Sequence, residues 1–225
     1  MNTAVYRSAA GVNEAMGRVY AHMSLAVIIS MIVSYFVGSS PELVRFFFTG
    51  LTKWIVIFAP LVCILVMTFA SERFSKSGLQ LFLYAFSALM GLSFATIFVI
   101  YSIGSIFTAF MGGAVLFGTM SIYGYFTKKD LTSVGSFMFV GLIAVVITSI
   151  VNVFIGSSTL AMVVSAVAIL VFLGLTAYDT QRIRSEVSIL EPDSKAEILG
   201  ALSLYMNFIN IFISLLQLFG GRNDD

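Results

Sequence analysis

Charge is what this chain has least of: 10% of its 225 residues are Asp, Glu, Lys or Arg, where a soluble domain carries about a quarter. With 59% hydrophobic residues, that deficit excludes a water-soluble fold. Neither sign dominates, because 12 basic and 11 acidic residues leave a formal net charge of +1. No whole-protein field therefore draws in nucleic acid or an acidic partner. The one cysteine, Cys63, lies in an apolar run and excludes an internal disulfide and a cysteine-rich zinc site; the one histidine, His22, cannot supply a histidine cluster. Neither conventional metalloenzyme chemistry nor a cofactor is expected.

What the chain does have is long apolar runs. An α-helix needs about 20 apolar residues to cross roughly 30 Å of hydrocarbon, and seven runs qualify: 19–38, 53–71, 79–101, 104–126, 134–155, 159–180 and 199–219. The alternation of a β-barrel is absent, and backbone groups in lipid must be satisfied internally, so these runs are read as helices. The organisation expected is a segment 1–18, a seven-helix transmembrane domain 19–220 and a short tail 221–225. Glu14 and the lack of an early apolar core make the first run a retained span.

Basic residues tend to stay on the cytoplasmic side. With the amino terminus inside, the inner segments hold Arg7, Arg18, Arg73, Lys76, Lys128, Lys129, Arg182, Arg184 and Lys195, and the outer side holds Arg45, Lys53 and Arg222. Nine against three gives a cytoplasmic amino terminus and an external carboxyl terminus. Trp54 beside Lys53 reads as an interfacial anchor. The connection 181–198, with Arg182, Arg184, Glu186, Glu191, Pro192, Asp193, Lys195 and Glu197, reads as a solvated loop. Small residues four apart, such as Gly91 with Ala95, Ala109 with Gly113 and Ala114 with Gly118, suit close helix packing.

Polar groups inside the spans are the informative exceptions, because a buried ionisable side chain is costly unless paired or hydrated. Asp179 stands at the end of the sixth span, where the helix macrodipole opposes a carboxylate; Arg182 three residues on offsets that cost. It reads either as an interfacial Asp–Arg pair or as a protonatable group facing a cavity. In the seventh span Ser203, Asn207, Asn210, Ser214 and Gln217 recur at steps of four, three, four and three, forming one stripe about 21 Å long. Such a stripe belongs against other helices or internal water, so it serves interhelical hydrogen bonding or an ion pathway. His22 reads as packing before pH sensing, and Asn152 with Thr148 as hydrogen-bonding a neighbouring helix. Hydrolase triads and paired-aspartate protease sites need more groups than Asp179 alone provides, so the chain is read as a non-enzyme.

Three segments carry a resemblance: Gly124-Tyr125-Phe126-Thr127-Lys128-Lys129-Asp130-Leu131, Gly174 to Gln181, and Ala201-Leu202-Ser203-Leu204-Tyr205-Met206-Asn207-Phe208-Ile209-Asn210. From about residue 15 to 220 the chain resembles the Bax inhibitor-1 family, also called the transmembrane Bax inhibitor motif family, in its bacterial members. The resemblance implies an all-α fold of seven transmembrane helices, six of them surrounding the last, and a pH-sensitive calcium leak. It ties that activity to two aspartates, one ending the sixth helix and one early in the seventh, and to a basic residue on the second helix. Asp179 matches the first. The second, in the family's Leu-Tyr-Leu-Asp-Phe-Ile-Asn pattern, is Asn207 here, and Arg73 is the base near the inner end of the second span.

The function expected is a calcium-permeable leak of a bacterial inner membrane, with Ca²⁺ and protons as its ions and the bilayer as its surroundings. Asp179 is the protonatable gate and a weak, transient Ca²⁺ ligand, and Asn207, Arg73, Arg182, Asn210 and Ser203 line the pathway. One carboxylate is too few for tight calcium storage. The rival is a non-conducting modulator of a quality-control or stress-response complex, with a membrane-protein partner. A proton-coupled transporter is a third option.

Overall fold

Helix satisfies backbone hydrogen bonds within one segment, which lipid demands, and the chain follows that rule. The structure, a computed structural model, describes residues 6–189, 195–221 and 223, without the side chains of 68–70. Among them the order is α1 (Ala9–Gly38), α2 (Pro41–Phe48), α3 (Thr52–Ala70), a 3₁₀ turn (Ser71–Arg73), α4 (Lys76–Ser93), α5 (Ile97–Ile100), α6 (Ile103–Phe126), α7 (Thr132–Ile155), α8 (Ser158–Glu186) and α9 (Ala196–Phe219). An isolated antiparallel bridge joins Tyr6 and Ile189.

Six helical segments are long and apolar enough to cross a membrane: α1, α4 with α5, α6, α7, α8 and α9. Counting α2 with Thr52–Met67 of α3, bent by 75° between them, makes seven. The fold is therefore all-α, and seven spans fit it. α9 is the most buried of the candidate spans, with 67% of its most apolar window inside, whereas α7 has none. That is the burial expected of a central last helix.

Local chemistry explains where these helices begin and end. Ser8, Ser40 and Ser75 cap α1, α2 and α4 by accepting from backbone N–H groups three residues on, and Pro41 and Glu42 suit the first turn of α2. α7 stops where Gly156 takes φ +70°, a conformation glycine adopts without steric cost.

Several boundaries differ from expectation. α1 starts at Ala9, ten residues before 19, because a helix can continue past the lipid edge once Ser8 caps it. The run 79–101 breaks at 94–96, where Phe94, Ala95 and Ile97 bond three residues back in tighter turns. The connection 181–198 is not a loop throughout: α8 continues to Glu186 and α9 begins at Ala196, because Ile183 and Val187 are buried and give the polar segment an inward face. Glu191, Pro192, Asp193 and Arg222, with most of the tail 221–225, lie outside the described residues.

The chain divides into two compact units. The first holds α1 to α5 with the start of α9 through Leu202. Its core includes Ala15, Val19, Leu79, Leu83, Phe86, Ile198 and Ala201, each at most 1% exposed. A Cβ on Gly91 of α4 would collide with the Ser30 backbone of α1, so a glycine lets those two helices meet. Ala95 is fully buried in this unit.

The second unit holds α6, α7, α8 and α9 from Ser203. A Cβ on Gly124 of α6 would strike the backbone of Ala177 in α8, and one on Gly135 of α7 would enter the Tyr178 ring. Gly124→Val is expected to destabilise the protein by about 2 kcal/mol, since overpacking that displaces backbone costs about 1–3; the melting temperature in detergent checks it.

Candidate functional site

Asp179 sits in the second unit, about two turns before the end of α8, because the helix continues to Glu186. The dipole penalty expected for a terminal carboxylate is corrected accordingly, as that effect is confined to the last turn. Its side chain is 14% exposed, so its polar contacts are made mainly with the protein groups around it.

Those groups come from one turn of α8 and from α9. The Asn207 amide donates to Asp179 Oδ2 at 2.8 Å, and Asn207 is buried. Arg182 Nη2 donates to Asp179 Oδ1 at 3.0 Å and lies 3.3 Å from Ser203 Oγ, while Nη1 donates to Glu186 at 3.2 Å. An i, i+3 spacing puts Arg182 beside the carboxylate, and heptad-like spacing aims Ser203 and Asn207 at the same face of α9. A carboxylate with a charge-assisted bond on one oxygen and an amide bond on the other is held in one orientation.

Farther along the stripe, hydrogen bonds run within α9 or between α9 and α8. Asn210 turns its amide onto the Met206 carbonyl of its own helix. Ser214 is buried, and Gln217, exposed at the far end, accepts from Ser165 of α8.

Residues 12–224 match the family described as "Inhibitor of apoptosis-promoting Bax1". The chain belongs to the Bax inhibitor-1 family. It is 35% identical over 219 residues to the inner membrane protein YbhL of Escherichia coli strain K12, covering 95% of this chain and 94% of that one. It is 36% identical over 217 residues to the uncharacterized protein RP147 of Rickettsia prowazekii, covering 95% and 92%. An uncharacterized protein of Caulobacter vibrioides is 35% identical over 228 residues, covering 96% and 91%. As a Bax inhibitor-1 family protein with this many apolar helices, it is a multi-pass membrane protein.

In this family member the residues matched to the two aspartates meet as an acid and an amide. Two carboxylates at this distance would carry a like-charge term and titrate as a coupled pair; Asp179 with Asn207 has one titrating group and a hydrogen bond in its place. The base against Asp179 is Arg182. Arg73, the base near the inner end of the second span, is exposed in the 3₁₀ turn of the first unit.

Other polar groups singled out in the sequence are placed as follows. His22 Nδ1 lies 2.7 Å from the Tyr84 hydroxyl, within the first unit. Trp54 is half exposed and carries Lys53 Nζ 5.1 Å from its ring centre. Among the described residues, the bonds of Asn152 and Thr148 stay within α7 and its closing turn, where a neighbouring helix was expected. Thr148 donates to Ala144 of its own helix, and Asn152 accepts from the Ser157 backbone across the turn closing α7. A threonine inside a helix reaches the carbonyl four residues back, and an asparagine at a helix end reaches the turn after it, so both find closer partners.

Two features escape the sequence reading. Glu197, placed there in a solvated loop, is 2% exposed in the first unit. Its carboxylate accepts from Arg18 at 2.7 and 3.1 Å and from Lys76 at 3.2 Å, with Arg7 at 3.8 Å. Gln181 is the other: its amide donates to the Lys129 carbonyl at 2.8 Å and its oxygen accepts from the Leu131 N–H at 2.9 Å. It thereby pins the α6–α7 connection to α8. Beside it Asp130 accepts from both the Thr132 N–H and hydroxyl, and these bonds hold its carboxyl below the usual range. A depressed pKa means the turn is fully stabilised at neutral pH and loses that contribution only as pH falls through the lowered value.

Proposed function

We propose that this protein is a calcium-permeable leak channel of a bacterial inner membrane, with its amino terminus cytoplasmic, in which Asp179 is the protonatable gate. One observation carries the reading. A single carboxylate, mostly shielded from solvent, is held between Arg182 of its own helix α8 and Asn207 on the polar stripe of α9, the most buried of the candidate spans. The inner-membrane location of YbhL supports the placement, and the excess of bases on one set of connections supports the orientation.

Asp179 and its amide partner form the hard-oxygen environment that attracts Ca²⁺ weakly and lets it leave. With Asp179 ionised, Arg182 is tied to it and occupies the charge a cation would seek. Protonation removes the reason for Arg182 to stay there, so pH shifts the arginine between closing the carboxylate and releasing it. Asn207 keeps the carboxyl oriented through either state.

Asn207→Asp restores a second titrating group. It is expected to steepen the pH dependence of calcium flux in proteoliposomes from a one-proton toward a two-proton profile. An unchanged slope opposes Asn207 as the partner of the gate.

A second reading rests on the bonds of Ser203, Asn207 and Gln217 to α8, which also describe a polar seam that only holds helices together. That bundle is a non-conducting modulator of a membrane complex. Absent flux from the purified protein, with a stable partner lost on altering the connection after α8, is its signature.

A further inference from the structure

We propose that the pocket at the end of α8 in the second unit binds a phosphate-bearing anion between Lys128, Lys129 and Arg182. The pocket encloses about 470 Å³, room for a phosphate ester headgroup. Among its lining groups are three bases against two acids, Asp130 and Glu186, a balance that disfavours a cation.

The two acids are already engaged. Glu186 accepts from Arg182, and Asp130 accepts twice from Thr132. The ammonium groups of Lys128 and Lys129 are exposed and have no ion-pair partner among the described residues. Arg182 keeps one donor unused as well: its Nε is buried without a hydrogen-bond partner. A buried unsatisfied donor leaves that cation incompletely compensated, and a phosphate in the pocket supplies negative charge beside the guanidinium.

The two lysines are also held in place before any ligand arrives. Gln181 grips the connection at the Lys129 carbonyl and the Leu131 N–H, and Thr127 Oγ1 accepts from the Lys129 N–H at 3.3 Å. A fixed backbone lowers the ordering cost of binding. Basic pockets at the ends of transmembrane helices suit phospholipid headgroups, which bring an anion to that depth; a free phosphate ester offers the same chemistry from solution.

Native mass spectrometry of the detergent-purified full chain tests this with phosphatidylglycerol, diacylglycerol lacking the phosphate, and glycerol 3-phosphate. Phosphatidylglycerol is expected to be retained over diacylglycerol, and Lys128→Ala with Lys129→Ala to weaken that retention about tenfold. Lys53→Ala, in the first unit, leaves it unchanged. Competition by glycerol 3-phosphate supports recognition of the phosphate from either source; lysine-dependent binding without competition assigns the lipid. Equal retention of the two lipids, or of phosphatidylglycerol by wild type and the double variant, overturns the proposal. Because Arg182 also holds Asp179, an occupied pocket alters calcium flux on the channel reading above. Binding is measured without flux, so the two claims fail separately.

Discussion

Asp179→Asn lowers calcium flux through reconstituted protein about tenfold, equivalent to about 1.4 kcal/mol at the site, and flattens what remains across pH. The substitution is nearly isosteric, so the bundle keeps its packing while the charge disappears. Three consequences follow from the geometry. The cation loses the carboxylate that faces the stripe from α8, Arg182 loses the group it contacts at 3.0 Å, and no group remains beside Asn207 to titrate. Arg182→Gln should have the opposite sign at neutral pH, raising flux, because it removes the competing cation and leaves Asp179 bonded to Asn207 at 2.8 Å. A gate predicts this opposition of sign; a simple structural pair predicts that both variants only destabilise. Fluorescence of a calcium dye inside proteoliposomes, normalised to protein incorporated, separates the two.

Glu197→Ala destabilises the first unit by about 2–3 kcal/mol. Breaking a buried ion pair by removing one partner costs about 3–5 kcal/mol; the lower figure applies here because Arg18 and Lys76 are 39% and 38% exposed and recover some hydration. Glu197 is the acid on which Arg18 from α1, Lys76 from α4 and Arg7 before α1 converge. Its removal leaves their charges without that acceptor, so the melting temperature in detergent should fall by about 4–12 °C, at about 2–4 °C per kcal/mol for a chain of this size. Glu197→Gln keeps the shape and should recover less than half of the loss. The double change Arg18→Met with Glu197→Leu should cost less than Glu197→Ala alone, because an apolar pair replaces a desolvated ionic one.

The spans and the Asp179 neighbourhood were readable because their signals are strong in this solvent. A run such as 134–155 has one interpretation in lipid, and a four-three-four-three polar spacing can lie on one side of a helix only. An arginine three residues after an aspartate meets it on any helix. The resemblance added which amide on α9 to expect opposite the carboxylate.

What was not readable has a common cause. Hydropathy marks where a helix leaves the membrane, and that is a different place from where it ends. Gln181 to Glu186 is polar enough to look like loop, yet Ile183 and the following Val187 are buried and carry the helix onward. Glu197 looked solvated for the same reason, since its partners Arg18 and Lys76 are distant in sequence and each stands near the basic end of another span. Ser40, Pro41 and Glu42 build a new helix start, α2, within a connection, and Gly50 at φ +62° lies in the break where α2 bends into α3; both are local signals outweighed by the apolar run that follows. Gln181 carries no spacing signature at all, because both its bonds go to backbone groups of another connection.

The most direct measurement is calcium entry into dye-loaded proteoliposomes holding only the wild-type protein, followed from acid to alkaline pH. The account predicts entry above that of protein-free liposomes, with a pH profile fitted by one proton. No entry at any pH, with the protein shown to be folded and inserted, would contradict it.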